Sequence, residues 1–473
     1  MSAESPSETI PSETIPSEII PSEIIPSEIT AANGQKKNGC GSSCLVYVAL
    51  LVAIIFASVA GLLIWRLGAA KRAEAMVIAI RDRGEPTTAE ELSEYYKVST
   101  GQEDCTKLWM EAISKFDSKN FVTSSKNIPI VSSNDGGPIL GESWAEIGKS
   151  EALLATYEVE MNKMHEAARK GGAARYPVMF VDGFTERHPC LSNLRVGVRM
   201  LLLEANVHAH RGRPSDVVDS IDAISKAGES LANEPLMVSQ LVRISMSQIA
   251  TDTIRTMLPR VDFSDDDLKR LKEIVSSVDS RGQVRCGLMG ERVFGLTATS
   301  APERLGQRGS TMSVLPEDLM LYLDAMEKFI KTSEQPLPQA IIESQRISGD
   351  TVAEIQRFRI MYLMTSMMLP ATDRFVLASG RSDIDRVSTA TLIAIEQYRR
   401  KRGELPKQLQ QLVPEFMDSV PIDPFAGMPL RYVADDKEIR VYSIGRDGVD
   451  DGGVESKEAG DPDDVSAMEL VGE

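Results

Sequence analysis

The residue types best suited to chemistry gather near the C-terminus, in VYSIGRDGVDDGG, residues 441–453, where a strand-like VYS runs into three aspartates and four glycines. Asp447, Asp450 and Asp451 offer hard oxygen donors, of which calcium takes about six to eight. Counted as a calcium loop from Asp447, Asp451 falls at position 5, Gly452 at 6 and Glu458 at 12, all as such a loop requires. Position 3, however, is Val449, and a strand rather than a helix leads in, so a helix–loop–helix calcium site is not predicted. Like charges without a core of their own repel each other. On its residues alone the stretch is either a cation site or a solvated acidic tail.

Other constellations fail on their chemistry. GGPILGES, with Gly136 and Gly141, has the glycine spacing of a phosphate loop, but Glu142 stands where the lysine belongs and would repel phosphate. MHEAAR, from Met164, opens like a zinc-protease helix and places Arg169 where the second histidine is needed. His208 and His210 are two apart and point to different faces of a helix. The five cysteines, Cys40, Cys44, Cys105, Cys190 and Cys286, show neither metal spacing nor a disulfide framework. No short catalytic motif is left, although carboxylate sites need none.

The elements around this loop must come from 473 residues that are 42% hydrophobic and only 5% aromatic, so aliphatic residues and Met build the core. The net charge of −17 argues against nucleic acid as a partner, because phosphate contacts need a basic face. That charge sits at the ends. Residues 1–35 carry six Glu and no base, and residues 446–473 carry ten acids against two bases. The tails thus hold −14 of the −17, and the middle reads as an ordinary folded surface.

Leu45–Trp65 is 21 residues without a charge, which as a helix spans about 30 Å, the thickness of bilayer hydrocarbon. It predicts a single-pass membrane anchor. Ala53, Ala57 and Gly61 recur on one face at the spacing that lets helices approach, so a homodimer through them is one expectation. Lys36 and Lys37 precede the span, whereas Arg66, Lys71, Arg72, Arg81 and Arg83 follow it. By the positive-inside rule that count favours a cytoplasmic C-terminal part.

Residues 1–44 read as a disordered tail, with five PSE-type pentapeptides over 6–30 in which every fifth residue is Pro. Residues 72–370 read as an all-α, solenoid-like domain. Thr88 and Glu91 form a capping box. NLRVGVRMLLLEANVHAHRG, DVVDSIDAISKAGESL and LMVSQLVRISMSQIATDTIRTML carry helical apolar spacing across short turns. Ser264 caps a further helix. RVFGLTATSAPERLGQRGSTMSVLPEDL is polar enough to predict a long loop. One helix is expected over 345–369, ending at Pro370, and another over 371–402. LRYV and EIRVYS alternate around ADDK and predict a hairpin that needs the preceding helix for support.

Residues 371–473 resemble the C-terminal domain of the G-type major pseudopilin of bacterial type II secretion. The resemblance rests on Asp423, Pro424, Phe425, Gly427, Pro429 and Tyr432, then Tyr442, Ser443, Gly445, Asp447, Gly448, Gly452 and Gly453. It implies a small α+β domain whose loop binds calcium through aspartates and carbonyls. Asp447 is the best-matched ligand, Asp463 and Asp464 take the place of the distal acidic pair, and Asp450 and Asp451 are secondary. The pilin-type G-F-T-L-x-E start is absent, and about 300 residues separate span and cap. The resemblance also implies a cytoplasmic (inner) membrane protein with its soluble part outside, against the charge count. Three functions follow: a noncatalytic envelope-anchored protein with a helical interaction domain and a calcium-stabilised end, linked to secretion; a tethered helical-repeat scaffold without metal; or an enzyme with a carboxylate site.

Overall fold

The computed structural model describes residues 40–97, 103–132, 140, 142–171, 173–181, 188–276, 280–300, 314–434, 439–445, 448–450 and 452–453. The pentapeptide repeats lie outside these. The chain divides into two compact units, 1–62 and 63–473.

Helix α1 (Cys40–Asp82) contributes to both. Every large apolar side chain from Leu45 to Trp65 lies open, 40–72% exposed. An exposed helix that is apolar on all sides has no stable home in water, and this one is long and apolar enough to cross a membrane. Further along the same helix, within the second unit, Ala69, Ala73 and Ile80 are buried.

The second unit is mainly helical. Short helices α2 (Ala89–Tyr95), α3 (Thr106–Ile113) and α4 (Lys119–Ser124) precede α5 (Ile147–Thr156), α6 (Glu158–Lys170), α7 (Pro189–His210), α8 (Pro214–Glu229), α9 (Met237–Met257) and α10 (Asp265–Ser276). Then come α11 (Ser280–Ser300), α12 (Pro316–Thr332), α13 (Leu337–Arg357) and α14 (Leu363–Arg402), and the hairpin β1 (Arg431–Ala434) and β2 (Ile439–Tyr442). The predicted caps form. Ser264 Oγ accepts from Asp267 N at 3.1 Å while Asp267 returns the bond to Ser264 N at 3.0 Å. Thr88 Oγ1 accepts from Glu91 N at 3.2 Å, but Glu91 reaches back to Thr87 N, one residue earlier than a standard box.

Three apolar clusters lie among the described residues of the unit, the smallest around Leu92, Tyr96, Phe180, Leu236 and Val293. The first joins α3, α6 to α10, the C-terminal half of α14 and β2, through residues such as Trp109, Leu201, Ile224, Ile254, Ile393 and Val441. The second joins α11, α12, α13, the N-terminal half of α14, and Ala73 and Ile80 of α1. The boundary expected at 370/371 therefore falls inside α14, and hairpin and helices bury their side chains in one core.

Two expectations are corrected. The first is the loop read for RVFGLTATSAPERLGQRGSTMSVLPEDL, residues 292–319, whose start to Ser300 belongs to helix α11 and whose end from Pro316 belongs to α12, with 301–313 outside the described residues. Glycines of α11, Gly295 of that stretch and Gly290 just before it, are where the helix meets its neighbours. A Cβ at Gly290 would stand 1.5 Å from the Pro235 carbonyl oxygen, and one at Gly295 would stand 2.1 Å from the Tyr322 ring. The second is Pro370, which ends no helix and lies inside α14. The break comes at 358–362, because Asp318 of α12 caps the new helix from afar. It accepts from Met364 N at 2.7 Å and from Thr365 N at 3.0 Å.

Candidate functional site

The hairpin is antiparallel, with Arg431 opposite Tyr442 and Ala434 opposite Ile439. Its inward side chains, Ile439 and Val441, belong to the first core. What fixes its end is Asp423, 1% exposed. Asp423 Oδ1 accepts from Ser443 Oγ at 2.8 Å and from Phe425 N at 2.8 Å, and Oδ2 accepts from Ile444 N at 3.0 Å. The Asp423 backbone closes the turn as well, its N donating to Met428 O at 2.7 Å and its O accepting from Gly427 N at 2.8 Å. Ser443 Oγ also accepts from Gly445 N at 3.0 Å. The Asp-Pro-Phe element and the Ser-Ile-Gly element, 20 residues apart, are thus two halves of one buried polar lock.

Beyond the lock the chain turns on glycines. Gly445, Gly448, Gly452 and Gly453 all adopt positive φ, between 67° and 77°, which side chains with a Cβ rarely reach. At Gly453 a Cβ would also meet the Tyr442 ring at 2.7 Å.

Of the five candidate ligands, Asp450 alone lies within the described residues. Asp447, Asp451, Asp463 and Asp464 lie outside them. Asp450 Oδ1 accepts from the Tyr442 hydroxyl at 2.9 Å and from Gly452 N at 3.1 Å, and Oδ2 pairs with Arg431 Nε at 3.3 Å. The Tyr442 hydroxyl first, then the Gly452 amide and the Arg431 guanidinium, hold the Asp450 carboxyl below the usual range. Asp450 organises the loop against the ribbon, and a protein cation already answers its charge. Among the described residues no group of three His, Cys, Asp or Glu side chains comes close enough to share a metal ion. Those residues do not by themselves make up a calcium shell.

Two buried polar clusters had no signal in the sequence. Glu234, 1% exposed in the turn between α8 and α9, accepts from the Tyr96 hydroxyl at 3.1 Å and from the Ser239 hydroxyl, and burial pushes its carboxyl up to about 7. Arg292, fully buried, pairs with Glu85 at 2.8 Å and with Glu327 at 2.5 Å. The partners lie 138 and 207 residues apart in the first pairs of each cluster, a separation that no local pattern reports. Cys105, Cys190 and Cys286 are free thiols. Burial pushes Cys286 up to about 12, so at neutral pH it is not a thiolate nucleophile.

No protein-family model matches this chain, no curated protein matches its sequence, and no solved structure matches its fold.

Proposed function

We propose that this protein is a noncatalytic, membrane-anchored scaffold with a helical protein-interaction body and a pseudopilin-like end. One observation carries the reading: α1 is both the exposed apolar run and, from Ala69 to Ile80, a core helix of the body. The body is taken up within four residues of Trp65, so a partner bound to it is held at a membrane. In this reading the soluble part lies outside the cytoplasmic membrane, and secretion is the process it serves. The test is membrane extraction followed by protease treatment of intact cells. The expected result is resistance to alkaline carbonate with digestion of the body from outside. Release by carbonate, or protection of the body until the membrane is opened, sinks the anchor or the orientation respectively.

The acidic end binds calcium in this proposal, with Asp447, Asp463 and Asp464 as the ligands that the pseudopilin resemblance assigns and Asp450 as the organiser of the loop. The lock at Asp423 and the glycine turns support it by presenting a shaped loop on a rigid ribbon. Melting of the full chain in detergent should rise with calcium and not with magnesium. At one hundred times the dissociation constant the gain is about 2.7 kcal/mol. Asp447→Asn should remove the gain, and an unchanged calcium response in that variant defeats the assignment.

A further inference from the structure

The turn between α13 and α14 is an open apolar surface. Phe358 is 53% exposed, Ile360 93%, Leu363 37% and Met367 56%. Two basic residues flank them. Arg357 pairs with Glu354 at 3.1 Å, and Arg359 is exposed between Phe358 and Ile360. Such a cluster of apolar side chains with arginines among them marks a contact surface rather than a random leftover of the core.

The turn is held firmly. Met361 N donates to Phe358 O at 2.8 Å, Tyr362 is buried, and Asp318 takes the first amides of α14. The residue before Asp318 is Glu317, whose Oε1 lies 3.6 Å from Arg66 Nε. Arg66 is the first charged residue after the apolar run Leu45–Trp65. Adjacent carboxylates in the first turn of α12 therefore hold the α13–α14 turn on one side and the residue that follows Trp65 on the other.

We propose that the α13–α14 turn is a second membrane contact of this chain. Phe358, Ile360, Leu363 and Met367 enter the boundary between headgroups and acyl chains, and Arg357 and Arg359 meet anionic headgroups. An exposed apolar face with arginines beside it is a composition that rests in that boundary. Anionic headgroups attract arginines placed at that depth. The contact would fix the orientation of the body on the bilayer instead of leaving it to one helix. This inference rests on the anchor reading above.

The test replaces single exposed residues of the full chain with the photocrosslinker p-benzoylphenylalanine, in bilayer discs of phosphatidylethanolamine and phosphatidylglycerol. Sites are Ile360, Phe56 in the apolar run, and Val122, 61% exposed in α4. Since side chains exposed to this degree tolerate replacement, folding is not at stake. Phospholipid adducts at 360 should exceed those at 122 by about tenfold or more, a conservative figure for burying several apolar side chains. Adducts at 56 with none above background at 360 overturn the second contact and leave the anchor standing. Crosslinks from 360 to protein, a second copy included, overturn it in favour of a protein partner. Absence of lipid adducts at both 56 and 360 overturns both.

Discussion

Asp423→Ala removes the acceptor of three hydrogen bonds at one stroke, from Ser443 Oγ, Phe425 N and Ile444 N. All three donors are then left in a site where Ser443 is fully buried and Asp423 was 1% exposed. Each unsatisfied buried donor costs about 1–1.5 kcal/mol at the lower end of the usual range, so the variant should lose about 4 kcal/mol. Against a total stability of about 5–15 kcal/mol that is large, but it does not abolish folding. The loss should be local first, because the lock joins the hairpin end to the Asp-Pro-Phe turn, while α7, α8 and α9 bury their own faces. Hydrogen exchange with mass spectrometry, on the full chain in detergent, reads this directly. Peptides covering 423–445 should lose about a thousandfold in protection, since 1.4 kcal/mol is tenfold, and peptides of α8 should lose far less. Asp423→Asn keeps one oxygen and turns an amide toward Ile444 N, so it should fall between, near 2 kcal/mol. Ser443→Ala combined with Asp423→Ala should cost less than the sum of the two, since they share a bond. Less than a tenfold change at 439–445 in Asp423→Ala refutes the lock and with it the structural meaning given to the two motif halves.

Two further perturbations test the body. Gly290→Ala should destabilise by about 3 kcal/mol or prevent accumulation, because its Cβ would overlap the Pro235 carbonyl, whereas Gly349→Ala in α13, with open space around it, should stabilise by about 0.5–1 kcal/mol in chemical denaturation. Burial pushes the Glu291 carboxyl, like that of Glu234, from an ordinary 4.5 up to about 7. The folded chain then binds more protons than the unfolded one between those values, so these groups make stability fall as pH rises from about 4.5 to 7. Glu291→Gln should remove its share and be more stable than the natural chain at pH 8 by roughly 3 kcal/mol, with little difference at pH 4.5. An unchanged pH slope in urea titrations of Glu291→Gln refutes the assignment.

Much of this fold is legible in the chain. The uncharged run from Leu45, the amphipathic spacing of α7, α8 and α9, the caps at Thr88 and Ser264, and the alternation around 431–442 each depend on residues a few positions apart. Propensity, capping and periodicity act over that range. Of the site, the sequence supplied Asp423 and Ser443 as motif residues and Asp450 as a secondary ligand, but not what they do. Asp450 read as a spare ligand, and its partners are Arg431 and Tyr442 across the ribbon.

Composition and local pattern by themselves determined that this is a helical chain with one apolar span and acidic ends. Tertiary structure decided where α14 begins, because Asp318 lies 46 residues before the amide it caps. It also decided that residues 280–300 are helix, because glycine weakens a helix locally and rewards it only where another backbone, here that of Pro235, comes close enough to need the missing Cβ. It merged the C-terminal hairpin with the helical body, since burial of Ile439 and Val441 in one core with Ile393 and Leu412 is a free energy of distant surfaces, which no window along the chain contains.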